Sequence, residues 1–222
     1  MGQRKSSGTA QNVLELIKSY PDLMVQLLYV CTNVAPWTNE SAAHLDMCLQ
    51  NMGATPLHID CSDLALEDGE HFTWNGFKHF VMRLMQSLRP HLSKGWRIQM
   101  YSDSTVDYHN YNEDYSHRHF VADTHLKSVF AKVSTQLLVD AVCGSGFVAS
   151  VGSGEHFHAR LSRDWRAGML KNVDAILIIG GWNDVCASPQ ALCNAVLGVA
   201  RLWRLIDEDD SECVHENRKR LT

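Results

Sequence analysis

Four short blocks of this 222-residue chain carry the side chains of acyl-transfer chemistry. Ser104 follows the apolar run "RIQMYSD" (97–103). Gly144 and Gly146 close "LLVDAVCG" (137–144) and open the glycine-rich stretch after it. Asn183 stands in "GGWND", behind "AILIIGG" (175–181). Asp68 precedes His71 by three residues in "DGEH", in the loop after "LHID" (57–60). A serine hydroxyl is a poor nucleophile until a base removes its proton. A neutral His71 can do so, and such a base contributes about 10²–10⁴-fold in rate. Asp68 is close enough in sequence to accept from the other ring nitrogen and fix the tautomer. The tetrahedral intermediate carries an oxyanion. Glycine lets backbone N–H groups approach that charge closely, and the Asn183 amide adds a donor. One such donor is worth about 3–4 kcal/mol.

These residues act together only if the fold brings them to one place. Five apolar runs read as strands: the four just named and "LMVQLLYVCT" (23–32). Several are apolar on both faces, as buried parallel strands are. Helical patterns lie between them. "SAAHLDMCLQNMG" ends on Gly53, a C-cap candidate. Phe77, Phe80, Val81, Leu84, Met85 and Leu88 fall on one helical face, and Thr73 can cap its start. "PQALCNAVLGVARLWRLI" (189–206) is a second long apolar helix, and "RLSRDWRAG" reads as helix too. Strand–helix alternation predicts a parallel sheet with helices on both faces. In such sheets the site lies at the carboxyl ends of the strands. Ser104, the glycines, Asn183 and the Asp68–His71 pair all follow strands, so all are expected at one edge.

The blocks "SDST", "GSG", "GWND" and "DGEH" together resemble the four signature blocks of the SGNH (GDSL-type) esterase and lipase superfamily. The resemblance spans about residues 21 to 206. It implies a three-layer α/β/α flavodoxin-like fold with five mainly parallel strands, and hydrolysis of acyl esters without a cofactor. It implies Ser104 as nucleophile, His71 as base and Asp68 as the third triad member. Ser104 N–H, Gly146 N–H and the Asn183 amide would form the oxyanion hole, with Gly144 the alternative glycine. Asp103 falls at the aspartate of the family's Gly-Asp-Ser, and Trp182 beside Asn183 is a pocket-wall candidate. Two features depart from the family. Ser102 replaces the glycine, adding a Cβ at the nucleophile turn, where it would strain the elbow. The Asp–His block comes first rather than last, so the chain resembles a circular permutation. A clipped array of tandem units would give the same order.

The expected organisation is one domain: a polar arm and helix (1–20), a permuted segment with the Asp-x-x-His block (21–95), the Ser, Gly and Asn blocks (96–206) and a charged tail (207–222). A net charge of −5 gives no basic field for nucleic acid. No run approaches the roughly 20 apolar residues of a membrane helix. The N-terminus is polar, unlike a secretory signal, and seven cysteines without a CxxC pair read as reduced thiols. A cytoplasmic location follows. "MGQRKS" fits the N-myristoylation pattern with Gly2 as acceptor, which gives only weak membrane attachment.

Three other functions compete with this one. A degenerate member of the same family would only bind. "GSGFVA" (144–149) fits the dinucleotide fingerprint G-x-G-x-x-A, but the acid that reading needs would be Asp164, which lies in a helical pattern. The "HRH" (117–119) and "HFH" (156–158) clusters lack cysteine or acid partners at ligand spacing, so no metal is expected. The reading is therefore an esterase for a small ester, such as an acetyl ester, in a monomer rather than a domain-swapped dimer.

Overall fold

A computed structural model describes residues 28–31, 57–61, 63–64, 66, 71–107, 124–133, 136–150, 155–180, 182–184 and part of 191–206. Gly2, Asp68, the expected helix ending on Gly53 and the charged tail lie outside the described residues, as does the Trp182 side chain.

From the second strand onward the described elements alternate between strand and helix as the apolar runs predict. In chain order they are β1 (Leu28–Cys31), β2 (Leu57–Asp60), α1 (Trp74–Leu88), β3 (Arg97–Ser102), α2 (Ser104–Asp107), α3 (124–131), β4 (Gln136–Ala141), α4 (Phe157–Arg166), β5 (Ala175–Ile179) and α5, helical at its described positions in 191–206. A 3₁₀ turn, Trp182–Asp184, follows β5. The chain is an α/β protein. Its described ladders form a parallel three-stranded sheet in the order β4-β3-β5 and a separate parallel pair, β1-β2. Among the described residues no ladder joins β5 to β1.

α1 starts where the sequence predicts. The Thr73 hydroxyl accepts from Gly76 N–H at 3.1 Å, satisfying a donor that has no intrahelical acceptor. The helix gives way to a 3₁₀ turn at Arg89–His91, with Pro90 in its first positions. The six apolar residues expected on one face are all buried, and Phe77, Phe80, Val81 and Leu84 are fully so. Each such burial contributes about 1.5–3 kcal/mol.

Side chains alternate across a strand, and the two sets enter two cores on opposite faces of the three-stranded sheet. Ile98 and Met100 of β3, Leu137 of β4 and Ile179 of β5 pack with α1, α3 and Ile59 of β2. Tyr101 of β3 packs with Phe157 and Leu161 of α4, Val199, Leu202 and Ile206 of α5, and Ile176 and Ile178 of β5.

The three strands end sooner than their apolar runs. β3 stops at Ser102 because the Asp103 carboxyl accepts from Thr105 N–H at 2.9 Å and so opens α2. β4 stops at Ala141. Its chain then turns, with Ser145 N–H on the Val142 carbonyl and Gly144 at φ 74°, a left-handed conformation natural to glycine. β5 stops at Ile179.

Candidate active site

The register decides which residues meet. Ser102 pairs with Ala141 on one side and Ile179 on the other, so β3, β4 and β5 finish level at their carboxyl ends. Ser104, the Gly144–Gly146 stretch and Asn183 all leave from that edge. Three of the four sequence blocks are therefore brought together.

Ser104 is half-buried and opens α2, so its N–H has no intrahelical acceptor. Asp103 beside it is fully buried. Burial pushes the Asp103 carboxyl above the ordinary aspartate range, Thr105 N–H opposes that, and the nearby Asp184 carboxylate adds to it. Asn183 spans the gap between strands. Its Nδ2 donates to the Ser145 carbonyl at 2.8 Å and to Asp103 Oδ2 at 3.4 Å. Ser145 is itself buried, and its hydroxyl donates to the Glu155 carbonyl.

Two expectations change here. Ser102 does not strain the turn: Asn172 is the one non-glycine residue with positive φ among the described residues. The Ser102 hydroxyl is instead fully buried and donates to the Ile179 carbonyl at 2.7 Å. Gly146 N–H is already used, donating to the Ala149 carbonyl at 3.0 Å. What requires glycine at 146 is Asp184, since a Cβ there would lie 2.5 Å from Asp184 Oδ1.

Nothing in the sequence singles out Asp184. It is buried and accepts three consecutive backbone N–H groups: Phe147 on Oδ2 at 2.7 Å, and Val148 and Ala149 on Oδ1 at 2.9 and 2.7 Å. The "GSGFVA" stretch thus spends the N–H groups that a pyrophosphate would need on an internal carboxylate. Asp164 lies in α4 and accepts from the Tyr101 hydroxyl at 2.8 Å. Both observations argue against a dinucleotide site.

No protein-family model, curated protein or solved structure matches the chain.

Beneath the edge lies a charged residue that periodicity did not flag. Arg160 of α4 is 1% exposed. Its Nη1 donates to the Ser102 carbonyl at 3.0 Å, its Nη2 donates to the Asp140 carbonyl, and its Nε donates to Asp140 Oδ2 at 3.2 Å. The guanidinium also lies over the rings of Tyr101 and Phe157. Such a buried charge persists only when its donors are satisfied, and here they tie the ends of β3 and β4 to one helix. Arg163 extends the network to Asp140, Glu155 and Asp164. An arginine on an amphipathic helix usually reads as solvated, so only packing reveals this one.

His71 is half-buried, just before α1 and next to Phe72, whose backbone bridges to Leu66. Phe72 is buried and stacks on Phe80 with ring centroids 5.3 Å apart. The described contacts do not join His71 to Ser104. His156 of the "HFH" cluster caps α4, its Nδ1 accepting from Ala159 N–H at 3.2 Å. Among the described residues no group of three or more His, Cys, Asp or Glu side chains could hold a metal ion, and no helix is long and apolar enough to cross a membrane.

Proposed function

We propose that the protein is a serine esterase of SGNH type acting on a small acyl ester. The observation that carries this reading is the level ending of β3, β4 and β5, which sets the Ser104 turn beside Asn183. Ser104 Oγ attacks the ester carbonyl while His71, oriented by Asp68, takes its proton. The oxyanion is held by Ser104 N–H and the Asn183 amide, which turns from Asp103, its more distant acceptor. Gly146 N–H joins them if it leaves Ala149. The intermediate collapses, the alcohol leaves with the proton from His71, and a water activated by His71 frees the acid.

The fold reading goes with it. The order β4-β3-β5 and the pair β1-β2 become one sheet, β4-β3-β5-β1-β2, if β1 joins β5. With the strands renumbered from β3, that is the flavodoxin-like order 2-1-3-4-5, cut between its third and fourth strands. Cores on both faces of the sheet support the three-layer arrangement.

A second reading has its own support. The Asn183 amide and Gly146 N–H are both engaged by protein acceptors, as in a member that binds without catalysis. A fluorophosphonate probe separates the two. An esterase is labelled at Ser104, and Ser104→Ala abolishes the label. A folded wild type that never labels is a binding module. A p-nitrophenyl ester chain-length series then defines the acyl group.

A further inference from the structure

Asp184 ends the 3₁₀ turn after β5 with its carboxylate buried and hydrogen-bonded. Both carboxylate oxygens are used, by three successive N–H groups of one loop, and the residue is 4% exposed. Successive backbone N–H groups that converge in this way form an anion nest, and charge-assisted bonds of this kind are about twice as strong as neutral ones. Gly146 leaves space for the carboxylate, because any Cβ there would overlap it. The loop from Val142 to Ser150 has no helix or strand of its own, so these bonds, together with Phe157 N–H on the Gly146 carbonyl and the packing of Phe147 on Phe157, fix where it sits.

Asn183 precedes Asp184 in the same one-turn 3₁₀ segment and reaches the same loop, at the Ser145 carbonyl. The two side chains hold the loop at two points, Ser145 and Phe147–Ala149, and the turn cannot rotate without breaking the nest. We infer that Asp184 is a positioning residue that fixes the Asn183 amide as an oxyanion donor by anchoring its turn in the Phe147–Ala149 nest. This rests on the esterase reading. It assigns Asp184 no contact with substrate.

The test is turnover of p-nitrophenyl acetate by wild type, Asp184→Ala and Asp184→Asn, with and without sodium formate. Asp184→Ala is expected to lose about 10²-fold in kcat, the scale of one lost oxyanion donor, with KM little changed. Formate is the carboxylate that alanine removes, so it should restore kcat saturably in Asp184→Ala and leave wild type unaffected. Asp184→Asn keeps the shape but turns an NH₂ towards N–H donors. It should show a similar loss that formate does not repair, and it stands in if the alanine variant does not fold. A near-wild-type kcat in either folded variant, or no formate rescue of folded Asp184→Ala, overturns the inference while wild-type turnover keeps the esterase reading. A folded wild type without turnover overturns both.

Discussion

The Ser102 hydroxyl donates to the Ile179 carbonyl across the β3–β5 boundary at 2.7 Å. It closes the two strands one residue before the proposed nucleophile turn. The residue that stands where the resemblance expects a glycine is therefore part of the sheet.

Ser102→Gly removes that bond and leaves a buried carbonyl with one donor fewer. The expected cost is about 1–3 kcal/mol of stability, with glycine's extra backbone freedom adding to it. Urea denaturation measures it. A variant as stable as wild type would mean that the hydroxyl contributes nothing to holding the strands.

Gly146→Ala forces a Cβ against the Asp184 carboxylate, which has no flexible stem to move it far. Overpacking of this kind costs about 1–3 kcal/mol. The same change should lower esterase kcat in the folded protein, because Asp184 must leave the nest. Unchanged stability and unchanged kcat would show that the loop yields freely.

Asp103 titrates above its unfolded value, so between the two values the folded state binds more protons. Stability attributable to Asp103 is then present at low pH and lost as pH rises from about 3.9 through the folded value. Asp103→Asn removes this dependence. Denaturation of both proteins across that window should show the variant gaining on wild type as pH rises. Parallel curves would contradict a raised carboxyl.

The segment bearing His71 shares a core with β3, the strand that leads to Ser104. Ile59, Leu64 and Phe72 lie in one buried cluster with Ile98, Met100, Val106 and Ile179 of the same chain. Each chain should therefore complete its own site. Inactive Ser104→Ala and His71→Ala, unfolded and refolded together, should stay inactive. Substantial recovered activity would reveal a swapped dimer.

Local sequence determined most of the elements. The 3.6-residue spacing of Phe77 to Leu88 and the Thr73 hydroxyl set α1 and its first turn, because capping and one-sided burial act within a few residues. The doubly apolar runs set β3 and β5 as strands, and the blocks after them marked the edge where Asn183 reaches Asp103, the neighbour of Ser104. Tertiary structure decided what those residues bond to. A pattern of types cannot reveal that Gly146 is small for Asp184, that its own N–H is taken by Ala149, or that Ser102 serves Ile179, 77 positions away. Arg160 shows the reason most clearly. An exposed and a buried guanidinium have the same local sequence, and only the packing of Tyr101, Phe157 and two strand-end carbonyls around it makes burial tolerable.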